Sequence, residues 1–198
     1  IFSLTNVGKS SKNLNCKLFH SDTNKQFVSC DVADVLVDPE TRKPTPIPTW
    51  WTDEFGKGIP TFKPPDPPFS DVEKNGDLYQ SETKVMYSDT DSYQHCNWTS
   101  YMKFSYDSMM DHLIRGGGYD WVTLDDVKAG IRDVDILYRS EAMLGDTLTV
   151  QSWSTRGDKC ENKEKSLLFN VLNVGTSCFQ AKMTFFSPNP SLNAHSAL

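Results

Sequence analysis

The chain has 198 residues, enough to bury a core as one large domain or two small ones. Hydrophobic residues make up 37% and charged ones 23%, the balance of an ordinary globular protein. The net charge of −6 leaves no basic surplus for a nucleic-acid backbone, and no apolar run approaches the roughly 20 residues of a membrane span. Residues Ile1 to Lys9 hold no charged stretch followed by an apolar one, so no signal peptide is read there. The five cysteines (Cys16, Cys30, Cys96, Cys160, Cys178) are odd in number, scattered and without a CxxC pair. That pattern argues against a zinc site or disulfide framework. It predicts reduced thiols in an intracellular protein, cytoplasmic or alternatively of an organelle matrix.

In chain order, Asn13–His20 and Gln26–Val37 alternate or run apolar, with Leu14, Cys16 and Leu18 on one side. Turn residues Ser21 to Asn24 separate them, so the two predict an antiparallel hairpin. Nine prolines then fall between Pro39 and Pro68. Such density is read as excluding regular structure and marking an extended linker, with Trp50, Trp51, Phe55 and Phe62 packing it against a domain.

From about Asp77 to Pro190 the pattern is that of a compact α+β unit. Leu78–Tyr87 reads as a strand. Asn97 stands where a helix cap is expected, Trp98–Arg115 reads as helix, and Gly116-Gly117-Gly118 ends it. Met102, Tyr106, Met109 and Leu113 recur at helical spacing, and Tyr101, Phe104, Met110 and Ile114 are apolar or aromatic as well. A helix apolar on so much of its circumference is expected to be wrapped by other structure. A short helix at Thr123–Ala129 follows, with Asp125 and Asp126 suited to its first turn. Four strand-like stretches come next: Ile131–Ala142, Thr147–Thr155, Lys165–Val174 and Ser177–Phe186. Turns at Gly145-Asp146, Gly157-Asp158 and Gly175-Thr176 divide the four. An antiparallel sheet curled around one central helix satisfies this order most economically.

Gln26–Pro39 (QFVSCDVADVLVDP) is similar to Ser177–Pro190 (SCFQAKMTFFSPNP), each a strand alternating into the core and ending at proline. Residues 1–55 thus read as the final strands of a first copy without its opening strand and helix. Residues 56–77 read as a Pro-rich linker, 78–190 as a complete copy and 191–198 as a tail.

The segment from Tyr87 to Tyr101 (YSDTDSYQHCNWTSY) resembles the signature of hotdog-fold acyl thioesterases of the 4-hydroxybenzoyl-CoA thioesterase type: an Asp-x-Asp, then His and Asn, then a Tyr on the central helix. Leu137 to Ala142 and Gly145 to Leu148 resemble the strand pair after that helix, and stretches around Val7–Ser11 and Val37–Pro48 resemble the end of another such domain. Two positions depart. The second of two frequent asparagines is Trp98 here, and plant acyl-carrier-protein thioesterases have an asparagine where this chain has Tyr93. Both put bulk beside the expected thioester.

The resemblance implies a hydrolase acting on acyl thioesters of coenzyme A or an acyl carrier protein, without cofactor or metal, paired into dimers by sheet continuation. It implies Asp91 as the carboxylate that activates water or attacks, His95 as the group that orients water or thioester, and Glu141, on the strand after the helix, as a further base. Tyr93, Asn97, Trp98, Thr99 and Tyr101 are the expected substrate contacts, with the Trp98 and Thr99 amides at the helix start facing a developing oxyanion. Taken alone, Asp89, Asp91 and Asn97 are also ordinary turn and capping residues, and His95 an ordinary structural histidine. The alternative functions are a non-catalytic hotdog protein that binds an acyl or other apolar ligand or serves structurally, and a dehydratase acting on hydroxyacyl thioesters.

Overall fold

The computed structural model describes residues 1–59, 78–154 and 165–187. The chain divides into two compact units, Ile1–Asp66 and Pro67–Leu198. Most of the expected linker (56–77), the turn at Gly157-Asp158, Cys160 and the expected tail lie outside the described residues.

The first unit is a three-stranded antiparallel meander, β1 (Phe2–Val7), β2 (Ser11–Phe19) and β3 (Gln26–Val35), in that spatial order. β2 and β3 form the expected hairpin, and β1 is a strand that the sequence reading did not separate. Register puts Phe2, Leu14, Cys16, Leu18, Val28, Cys30 and Val32 on one face. The hydrophobic side chains of that face are exposed or half-buried. A helix, α1 (Thr49–Phe55), lies within the stretch read as an extended linker. The prolines stop at Pro48 and resume at Pro60, and Pro48 itself precedes the first helical residue, where its missing N–H costs nothing. Density of proline over a window conceals a proline-free interval long enough for two helical turns.

The second unit is a five-stranded antiparallel sheet crossed by one long helix. Its strands are β4 (Tyr79–Lys84), β5 (Ile131–Tyr138), β6 (Thr147–Ser154), β7 (Ser166–Asn173) and β8 (Thr176–Phe185), ordered β4-β6-β7-β8-β5. The helices are α2 (Trp98–Ile114) and α3 (Leu124–Ala129). The strands β6, β7 and β8 form a consecutive antiparallel meander, as β1, β2 and β3 do, which is the relation expected of the repeat.

The core of the second unit joins Tyr101, Phe104 and Met109 of α2 to Leu148 and Val150 of β6, Leu167, Phe169 and Val171 of β7, and Phe179, Ala181 and Met183 of β8. The buried stripe differs from the expected one. Ser105 and Ser108 face inward with Tyr101, Phe104 and Met109, whereas Tyr106 and Ile114 are exposed. Serines bring the helix backbone close to the sheet. Each has a partner, Ser105 donating to the Tyr101 carbonyl at 2.9 Å and Ser108 sharing a 2.7 Å bond with Ser81 of β4. Among the described residues, the helix thus meets its sheet through small polar residues as well as apolar ones. α3 starts with a capping box in which Thr123 and Asp126 bond reciprocally. Asp126 is fully buried and also holds Lys165 at 2.7 and 2.8 Å.

Candidate active site

The segment between β4 and α2 is built by its carboxylates. The first, Asp89, is only 3% exposed and accepts from the Met86 amide at 3.0 Å and from Lys103 of α2. Its carbonyl accepts from the Asn97 amide at 2.8 Å and the Ser100 hydroxyl at 3.0 Å. Asp89 therefore brackets the start of the helix from inside. The second, Asp91, is exposed and folds the next four residues around its own side chain. Its Oδ1 accepts from the Tyr93 amide at 2.8 Å and the His95 amide at 3.1 Å, while its amide donates to the His95 carbonyl at 2.9 Å. Gln94 completes the turn in the left-handed region at φ 63°. Both hydrogen bonds end on Oδ1, so Oδ2 faces outward with no partner among the described residues. The Tyr93 and His95 rings lie 6.1 Å apart beside it.

Asn97 caps α2 as expected, its Oδ1 accepting from the Thr99 amide at 3.1 Å and the Thr99 hydroxyl at 3.0 Å. This corrects the expectation that two amides point outward. Thr99 is spent on the cap, and the Trp98 amide is left without a partner among the described residues, at the positive end of a 17-residue helix. The Trp98 side chain is exposed at the same end.

Glu141 is not on a strand. β5 ends at Tyr138, and the Arg139 and Ser140 amides both donate to the Cys178 carbonyl, a bulge that turns the chain away from β8. The loop 139–146 then crosses to the helix start. The Cys96 amide donates to the Ala142 carbonyl at 2.8 Å, His95 bridges Met143, and the Leu144 amide donates to the Gln94 carbonyl at 3.1 Å. This brings Glu141 Oε1 within 3.6 Å of His95 Nδ1. Two residues chosen separately from the sequence are thus one pair.

Tyr101 does not line the surface. It is 2% exposed, stacked on Phe179 at 5.2 Å, and its hydroxyl accepts from the Ala142 amide at 2.9 Å. Burial, with the Cys96 thiol beside it, raises its pKa, so it acts as a neutral hydroxyl. Tyr138, which the sequence reading passed over, donates to the Trp98 carbonyl at 2.9 Å and is likewise pushed up by burial. Its place at the end of an alternating strand, opposite Phe179, is the signal that marks it. The site therefore gathers Asp91, His95, Glu141, Asn97 and Trp98, with Tyr93 at its edge. It leaves Thr99 in the cap and Tyr101 in the core. Among the described residues no group of three His, Cys, Asp or Glu is placed to hold a metal ion.

This architecture of the second unit, an antiparallel sheet crossed by one long helix, is the hotdog fold. No family model matches the chain. In sequence, 73 residues, 37% of the chain, are 32% identical to the long-chain acyl-CoA thioesterase FadM of Escherichia coli strain K12, across 55% of that protein. In structure, a protein assigned as an oleoyl thioesterase in Lactobacillus plantarum superposes with a TM-score of 0.70 at 13% identity, over 91% of this chain and 65% of that one. The 12:0-ACP thioesterase of Umbellularia californica gives 0.68 at 17% identity, over 93% and 66%. An acyl-ACP thioesterase of Bacteroides thetaiotaomicron gives 0.63 at 17%, over 93% and 67%. The chain spans about half the length of the curated relative and about two thirds of these structures. It has the hotdog fold of these structures and, over 37% of its length, is similar in sequence to one acyl-CoA thioesterase. Among the described residues no helix is long and apolar enough to cross a membrane.

Proposed function

We propose that the chain hydrolyses acyl thioesters of coenzyme A or an acyl carrier protein. The observation that carries this is the His95–Glu141 pair, held where the loop after β5 is hydrogen-bonded to the segment opening α2, a segment that also carries the exposed Asp91 carboxylate and a Trp98 amide without a partner among the described residues. A thioester carbonyl set against the Trp98 amide would have its oxyanion stabilised by that N–H and the helix dipole. Asp91 would take a proton from water as that water attacks the carbonyl carbon, or attack directly to form an anhydride that water then opens. The C–S bond breaks as the tetrahedral species collapses, and the departing sulfur takes up a proton. His95, held by Glu141, orients the attacked group and passes that proton. The sequence relative's activity on long-chain acyl-CoA favours that carrier for this chain as well. Exposed Met86, Tyr87, Tyr93, Trp98 and Met143 supply apolar surface around the pair for an acyl chain. β4 and β5 are the edge strands of their sheet among the described residues, and such an edge would serve for sheet continuation with a second copy.

Purified protein incubated with acyl-CoAs and acyl-carrier thioesters of graded chain length should release free thiol. Release from none of them would overturn the proposal. A non-catalytic role as an apolar-ligand carrier is favoured by one observation, the exposed bulk of Tyr93 and Trp98 at the site. Native mass spectrometry showing a retained acyl ligand without turnover would decide for it.

A further inference from the structure

We infer that Tyr101 is a positioning residue, and that its buried hydroxyl sets where Glu141 stands relative to His95. The inference rests on the hydrolase reading above and names the device that holds its acid–base pair in register.

Glu141 belongs to neither regular element of the site. It lies three residues beyond β5 on the loop 139–146, and its nearest backbone fixture is the peptide of Ala142. That peptide is fully buried, and both of its polar groups are spoken for by the helix side. The Ala142 carbonyl accepts from the Cys96 amide at 2.8 Å, next to His95 in the chain. The Ala142 amide donates to Tyr101 Oη at 2.9 Å, one helical turn into α2. The tyrosine cannot wander. Its ring is stacked on Phe179 at 5.2 Å and 11° and edge-on to Tyr138 at 6.0 Å. Glu141 is thus anchored by a rigid phenol on the core side, while His95 is anchored through Asp91 Oδ1 on the solvent side. The two anchors together fix the 3.6 Å approach of Nδ1 and Oε1. Phenylalanine would keep the stack and remove only the acceptor, leaving a buried N–H unpaired, which the loop relieves by shifting outward.

The test is the cycle of Tyr101→Phe, Glu141→Gln and the double variant, read as kcat and KM for thiol release. Tyr101→Phe should lower kcat by about ten- to a hundredfold, with KM within about twofold, because sub-ångström misplacement of a reacting group costs on that scale. In the Glu141→Gln background the same change should cost less than about twofold, since a residue acting through Glu141 has nothing left to position. Multiplying losses, or equal effects on kcat and KM, would overturn the inference. If wild type releases no thiol, the hydrolase reading fails separately, and amide hydrogen exchange judges the anchor. Ala142 and its loop neighbours should then exchange at least about tenfold faster in Tyr101→Phe while α2 stays protected. Unchanged loop exchange would overturn it.

Discussion

Asp91→Asn is the sharpest probe of the proposed chemistry, because the structure separates what the carboxylate holds from what it offers. Oδ1 accepts from the Tyr93 and His95 amides, and an asparagine Oδ1 accepts the same two bonds. Oδ2, the outward oxygen, becomes an NH2 that neither accepts a proton nor attacks. The loop is retained and the chemistry removed. A positioned general base contributes about 10² to 10⁴ in rate. The expected fall in kcat is of that size, roughly 3–5 kcal/mol in barrier. The melting temperature should hardly move, since an exposed isosteric change of this kind stays within about 0.5 kcal/mol. Asp91→Ala is the necessary partner, because it deletes both bonds. It should cost about 1 kcal/mol and lower the melting temperature by a few degrees. Thiol release from an acyl-CoA, with thermal unfolding of the same preparations, reads both quantities. If Asp91→Asn keeps kcat within about threefold of wild type, Asp91 is a loop residue and the assignment of the base is wrong.

The remaining expectations concern the scaffold. Burial pushes the Asp126 carboxyl up, but the Lys165 and Thr123 bonds outweigh it, and the net pKa is lowered. Its stabilisation is therefore present at neutral pH and is lost as pH falls below the ordinary aspartate range through the lowered folded value. Asp126→Asn breaks the buried pair and half of the capping box. It should cost about 3 kcal/mol near pH 7, or about 10 °C in melting temperature, and progressively less in acid. A loss independent of pH would contradict the pairing. Burial also pushes the Cys96 and Cys178 thiols up to about 11 each. Alkylation of the folded protein at pH 8 should label Cys30 well before either of them, as read by peptide mass. Cys16 and Cys30 face each other in register, so a short bifunctional thiol-alkylating reagent, such as a bis-maleimide, should join them, and failure to do so would question the β2–β3 pairing.

The helix and most strands were legible because local chemistry announces their ends. Asn97 caps α2, Gly116 at φ 84° follows its last turn, and Val174 and Gly175, both at positive φ, turn β7 into β8. The site was legible only as a segment. Asp89 and Asp91 are two residues apart in similar turns, yet one is buried against Lys103 and the other faces outward. Nothing in the string distinguishes them, because burial of Asp89 depends on where the second turn of α2 delivers a lysine. The resemblance alone makes Tyr101 a substrate contact. Its role follows instead from the serines at 105 and 108, which draw that flank of the helix down onto the sheet. Glu141 shows the limit most plainly. Alternation carries an unbroken strand from Ile131 to Ala142, and a strand residue there would stand with its neighbours along β8. The actual end is set by pairing: Tyr138 is opposite Phe179, and the next two amides share one carbonyl, that of Cys178. Two residues of departure from the ladder turn a strand side chain into the neighbour of a histidine more than forty positions upstream. The information for that step lies in the partner strand, so a reading of Ile131–Ala142 alone has no access to it.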